Sequence, residues 1–230
     1  VVKRVLVTGV SGEVGSSLVQ QLARSGEYAI EGLDVRQPHP DVAALCSTIV
    51  LGDIAQADLV RGLGNGRTYD VIFHLAGILS SGGERAPLRA HEVNVSGTLN
   101  ILELARNHSE LSQRPVRVVF ASTIAVYGIP SLREKERAGK IRETDFLSPI
   151  TMYGANKLYC ESLGRYYSEH FGMLEDRPAR IRPDFRALRF PGLLSAHTLP
   201  TGGTSDYAPE MVHSVVQGSR YECFVRPDAR

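Results

Sequence analysis

The 230-residue chain has only three cysteines, Cys46, Cys160 and Cys223. An odd number so widely spaced supports neither a disulfide framework nor a zinc knuckle. Its seven histidines show no HExxH or other ligand spacing, so no metal is expected. Charge of one sign is also missing: 26 Lys+Arg against 25 Asp+Glu leave a formal +1. That balance offers no field to draw nucleic acid or an anionic membrane. No apolar run is long enough to span a bilayer, and the first residues lack a signal-peptide pattern. Internal repeats and low-complexity segments are absent as well. The expectation is a reduced, cytoplasmic, metal-free globular protein, with no nucleic-acid or membrane partner.

Glycine is what the chain has in excess, 22 residues against an average near ~7%. Short β-branched runs, Arg4–Thr8, Tyr28–Asp34, Ser47–Leu51, Asp70–Leu75, Val116–Ala121 and Asp184–Phe190, are separated by longer segments of helical period. Those segments are Gly12–Ser25, Gln56–Leu63, Ala86–His108, Tyr153–Phe171 and Ser205–Gln217. Such alternation predicts an α/β fold, a doubly wound parallel sheet with helices on both faces. The charged run 133–137 reads as a solvated loop or helix face. The arginines of 177–183 lack interleaved aromatics and read as an exposed connection rather than a nucleic-acid contact.

The first strand ends in Thr8-Gly9-Val10-Ser11-Gly12-Glu13-Val14-Gly15 and runs straight into a helix. Glycines three apart at a strand-to-helix turn let backbone approach a pyrophosphate, whose charge meets the helix N-terminus. Asp34 closes the second strand, 19 residues after Gly15, where a carboxylate accepts hydrogen bonds from the adenosine ribose. It would also repel a 2′-phosphate, so NAD is favoured; Arg36 keeps NADP open as the weaker option. The sheet is therefore expected to be of Rossmann type.

Tyr153 and Lys157 stand at i and i+4 near the start of a long predicted helix, hence on one face. Using a tyrosine as a base near neutrality means lowering its pKa of about 10 by roughly 3 units. That is about 4 kcal/mol, of which an ammonium about 5 Å away at an effective dielectric of ~20 supplies roughly 3, with a nicotinamide ring's positive charge left to contribute the rest. Phe120–Gly128 places hydroxyls, Ser122 and Thr123, at a strand end, where open α/β sheets put their ligand chemistry.

Together, Gly9/Gly12/Gly15, Asp34, Asp53, His74-Leu75-Ala76-Gly77, Asn94, Ser122-Thr123, Tyr153/Lys157 and Arg189-Phe190-Pro191-Gly192 resemble the extended short-chain dehydrogenase/reductase superfamily. The motifs cover nearly the whole chain in order. The resemblance implies a cofactor site of Gly9, Gly12, Glu13, Val14, Gly15, Asp34, Asp53, Ile54, Leu75, Ala76, Gly77, Asn94, Lys157 and Pro191. Asp53 and Ile54 would flank the adenine, Leu75–Gly77 would back the cofactor, and Asn94 would serve as structural or proton-relay support. Thr123, Tyr153 and Lys157 would be catalytic. A homodimer is expected through helices near 86–108 and 153–171, with Tyr159, Leu163, Tyr166 and Tyr167 adding apolar surface to the second.

Three segments are similar to the short-chain-type L-threonine 3-dehydrogenases: His74–Glu84, Arg189–Ser195 and Pro200–Ala208. They imply a small-molecule substrate held by Ser80, Ser122, Thr123, Tyr153, Gly203 and Thr204, and oxidation of L-threonine to 2-amino-3-oxobutyrate. The rivals are a nucleotide-sugar 4-epimerase or dehydratase, a sugar-acid dehydrogenase, and a non-catalytic dinucleotide-binding sensor. Residues 1–190 are expected to form the NAD-binding domain. Residues 191–230 are expected to begin a small, truncated substrate lobe, a helix followed by the strand Tyr221–Arg226.

Overall fold

The computed structural model describes residues 2–174, 181–193, 206–223 and 225. Its frame is six strands: β1 (Lys3–Thr8), β2 (Tyr28–Asp34), β3 (Thr48–Leu51), β4 (Val71–His74), β5 (Arg117–Thr123) and β6 (Asp184–Phe190). They pair in the order β3-β2-β1-β4-β5-β6, and every pairing is parallel. Each of the six strands expected up to Phe190 is present to within two residues at either end. The apolar runs Val5–Val7 and Ile72 are fully buried, as strands covered on both faces require.

The helices are α1 (Glu13–Ser25), α2 (Pro40–Ala43), α3 (Ala57–Arg61), α4 (Ser80–Arg85), α5 (Pro87–His91), α6 (Gly97–Ser112), α7 (Leu132–Ala138), α8 (Met152–Arg165) and α9 (Tyr207–Val216). One apolar cluster joins Leu6, Ile72 and Val118 to Ile101 and Leu104 of α6. A second, on Val5, Val7 and Ile30, takes in Val19 of α1 and Val42 of α2. The sheet is thus doubly wound. The charged run 133–137 lies on α7, which buries no residue.

Both long predicted helices carry a π-helical stretch. Glu92–Ser96 joins α5 to α6, and Tyr166–His170 prolongs α8. Such insertions of one residue are frequent at functional sites, and the first carries Asn94. Tyr167, expected on an open face, is instead 5% exposed and gives its hydroxyl to Glu103. The expected strand at 221–226 is not formed by the described residues 221–223 and 225.

Candidate active site

Strand order reverses between β1 and β4, the switch point at which open α/β sheets leave a crevice. Gly9 follows β1 there with φ +74°, and a Cβ on it would stand 2.8 Å from Ala76 N. A Cβ on Gly15 would meet Gly9 O at 2.2 Å. Glycine is required at both, and the turn draws in tightly beneath the start of α1, whose first-turn N–H groups have no intrahelical acceptor. Glu13, Val14 and Gly15 supply that turn. A cleft of about 250 Å³ opens above it, lined by Gly9, Gly12, Asp34, Asp53, Ile54 and Leu75–Gly77 among others.

Asp34 is nearly buried and accepts from Ser11 N (2.9 Å) and Arg36 N (3.0 Å). Its carboxylate therefore ties the end of β2 to the glycine turn. Asp53 accepts from Ala55 N at 2.9 Å and pairs with Arg89.

The far wall of the cleft is fixed by a buried polar chain. Leu75 N and Ala76 N both donate to Thr8 Oγ1 at 3.2 Å, and that hydroxyl lies 2.8 Å from His74 Nδ1. His74 Nε2 is 2.9 Å from Thr98 Oγ1, which donates to Asn94 O at 2.6 Å. Thr98 has thus spent its own proton, so His74 carries hydrogen on Nε2 and accepts at Nδ1. Burial, and secondarily the Lys157 charge, pushes its pKa down to about 3; the ring is neutral. Asn94 completes the wall by accepting from Ile78 N (2.7 Å) and donating to Ile78 O (3.0 Å).

Thr123 ends β5 and Tyr153 stands in the first turn of α8. Burial pushes the Tyr153 phenol up to about 12, against a smaller opposing pull from the Thr123 hydroxyl. Lys157 Nζ sits 5.7 Å from the Tyr153 ring centroid and 4.4 Å from that of Phe120. The lowering expected from Lys157 is not seen: the phenol is raised, and Thr123 rather than Lys157 opposes the rise. Lys157 is 3% exposed, and burial brings its pKa down to about 8. Among the described residues, no hydrogen bond or carboxylate partner meets its ammonium. A Cβ on Gly77 would lie 3.5 Å from that nitrogen and 3.1 Å from Asn94 Oδ1. The cleft and the Tyr153/Lys157 pair therefore meet at Gly77.

Ser122, expected beside the substrate, turns away. It is 2% exposed and donates to Glu161, two turns along α8 from Tyr153. Glu161 takes a bidentate grip from Arg189 at 2.9 and 2.6 Å. Arg189 also reaches Tyr127 OH at 2.8 Å and Glu143 O at 2.6 Å. This pair, with only its carboxylate end fully buried, was not anticipated from the sequence, although Arg189 opens one of the motifs. Nor was Glu84, whose carboxylate accepts Met152 N at 2.9 Å; Glu84 closes another of those motifs.

Ser80, 6% exposed, shares a face of α4 with Gly83. A Cβ on Gly83 would lie 3.7 Å from Tyr153 N. Pro191 lies exposed just past β6, outside the lining of the cleft. Gly203 and Thr204 fall outside the described residues. A larger recess of about 590 Å³ follows β6 past Leu188 and Arg189, but it holds neither the glycine turn nor Asp34.

Residues 5–221 match the model of the NAD dependent epimerase/dehydratase family. The chain belongs to this family. Mitochondrial L-threonine 3-dehydrogenase of Bos taurus is 33% identical over 229 residues, covering 99% of this chain and 56% of that protein. L-threonine dehydrogenase from Phytophthora infestans superposes with a TM-score of 0.79 at 32% identity, over 98% of this chain and 66% of that one. UDP-glucose 4-epimerase from Brucella ovis, solved in complex with NAD, gives 0.64 at 26% identity, over 81% of this chain and 51% of that one. The chain therefore spans a little over half the length of the bovine relative.

The family's cofactor, NAD, fits the residues present. The glycine turn packs backbone on backbone beneath the cleft, Asp34 offers a carboxylate at the ribose position, and Lys157 presents a buried cation with no hydrogen-bond or carboxylate partner among the described residues. Among the described residues no His/Cys/Asp/Glu cluster suits a metal, and no helix is long and apolar enough to cross a membrane.

Proposed function

We propose that the protein oxidises a secondary alcohol with NAD, and that the alcohol is L-threonine, giving 2-amino-3-oxobutyrate. The observation that carries this reading is the Tyr153 phenol with the Thr123 hydroxyl acting on it and the Lys157 ammonium beside it, an ammonium with no hydrogen-bond or carboxylate partner among the described residues. Bound NAD supplies the hydride acceptor. Gly9, Gly12 and the first turn of α1 hold its pyrophosphate, Asp34 the adenosine ribose, and Lys157 the ribose at the other end. Tyr153, as phenolate, takes the proton of the substrate hydroxyl, and Thr123 orients that oxygen. A phenol held at about 12 has to be acidified by about 5 units to act at neutrality, or about 7 kcal/mol. A second positive charge next to Lys157 is what that lowering needs, so the phenolate forms only in the loaded site. Ser80 and the segment with Gly203 and Thr204 would hold the amino-acid end.

Residues 191–230 belong, on this reading, to the lobe that covers the substrate. A second copy would pack on the faces carrying Leu88, Leu99, Tyr159 and Tyr166, each at least 39% exposed. Three free cysteines suit a reducing compartment, and the cytoplasm is the location proposed.

The test is absorbance at the reduced-nicotinamide band with the full-length protein, NAD, and L-threonine, a sugar acid or a UDP-hexose offered separately. Signal with threonine alone supports the reading; conversion of UDP-glucose to its 4-epimer replaces it with the epimerase. NAD binding with no turnover of any of the three indicates a sensor. Tyr153→Phe should abolish turnover and leave NAD affinity within about twofold; full activity in that variant removes Tyr153 from the mechanism.

A further inference from the structure

Arg89 is the residue of the cleft that no motif explains. It projects from α5 and reaches across to the turn after β3, pairing through Nη2 with Asp53 and through Nη1 with Glu92 at 3.2 Å. A guanidinium gripped at both ends has its plane fixed, while its two faces stay free for stacking. The side chain is 46% exposed, and none of the described cation–ring contacts involves it. Nearby, Val35, Ile54, Ile78 and Val93 give the same cleft apolar walls. A narrow apolar slot with one planar cation at its rim suits a flat, electron-rich heterocycle.

We propose that Arg89 forms the outer wall of the adenine subsite, its guanidinium plane lying against the base. This rests on the reading of the cleft as a dinucleotide site and assigns it a specificity residue. Asp53 fixes the guanidinium and also faces the base edge. An exocyclic amine can share its remaining lone pairs; a neutral N–H does not displace a guanidinium from a carboxylate. Stacking on a fixed cation strengthens binding of the adenosine half alone. The nicotinamide half, at the Tyr153 end, is untouched by it.

The experiment is calorimetric titration of the full-length protein with AMP and, separately, nicotinamide mononucleotide, in wild type, R89A and R89K. Lysine keeps a charge for Asp53 but offers no planar face, so both variants should bind AMP about five- to twentyfold more weakly. Affinity for the mononucleotide should stay unchanged. Full AMP affinity in R89K with loss in R89A assigns Arg89 to the Asp53 ion pair alone and overturns the stacking wall. Unchanged AMP affinity in both overturns any role for Arg89. If wild type binds neither AMP nor NAD, it is the dinucleotide reading itself that fails. A thermal melt of each variant checks that this exposed substitution leaves the fold intact.

Discussion

Glu84 Oε1 accepts the backbone N–H of Met152 at 2.9 Å, one residue before Tyr153. A carboxylate at a helix N-terminus satisfies an orphan donor and faces the positive end of the helix dipole. The contact also couples α4 to the turn of α8 that aims the phenol.

Glu84→Ala is therefore expected to cost about 1 kcal/mol of stability and to lower kcat more than it raises KM. Glu84→Gln keeps an acceptor and should recover most of kcat. Steady-state kinetics with a melting curve for each variant checks both. Equal kcat in Glu84→Ala and wild type would show that α8 holds its register without the contact.

Lys157 sets a second expectation, in pH. Its folded pKa of about 8 lies below the ordinary 10.5, so above pH 8 the unfolded chain holds more protons. Stability then rises with pH. Cys46 and Cys160, both raised by burial from 9.0, oppose the rise above pH 9. Tyr153, raised from 10.0 to about 12, adds to the opposition above pH 10. The clean window is pH 8 to 9. Lys157→Met should erase the rise and stabilise the empty protein at pH 7 by up to about 3 kcal/mol, with turnover lost. Denaturant melts across that range decide it; a flat wild-type profile would sink the assignment.

The Glu161–Arg189 pair gives the third. Glu161 is 6% exposed and already receives Ser122, so Arg189→Met strands a buried carboxylate. The expected loss is about 3–5 kcal/mol. Adding Glu161→Gln should restore a good part of it, because the stranded charge is then gone. Urea titration of the two single variants and the double variant reads the coupling directly.

The parallel sheet was legible because β-branched runs with Gly9 or Asp34 at their ends leave little choice of structure. Helix α4 was not: Ser80-Ser81-Gly82-Gly83 is a poor helix former. It is held by Gly83 packing on α8 and by Glu84 bonding Met152, contacts 68 residues apart for the latter. Nor does any local pattern announce the π-helical stretch at Asn94, which exists to serve Ile78, Thr98 and Cys160. Ser122 was another miss. Its hydroxyl is already given to Glu161, two turns along α8 from Tyr153, a contact 39 residues away in sequence that no local pattern shows.

The chain of hydrogen bonds from Thr8 through His74 to Thr98 leaves no seam between scaffold and site. The hydroxyl that braces the middle of the sheet also anchors the amides of Leu75 and Ala76. The imidazole behind it is locked as a neutral spacer. Loosening the cleft wall therefore means loosening β1, β4 and α6 together. Such a molecule has no inexpensive way to be half assembled: ligand recognition and cooperative folding should fail at one temperature, as a single event.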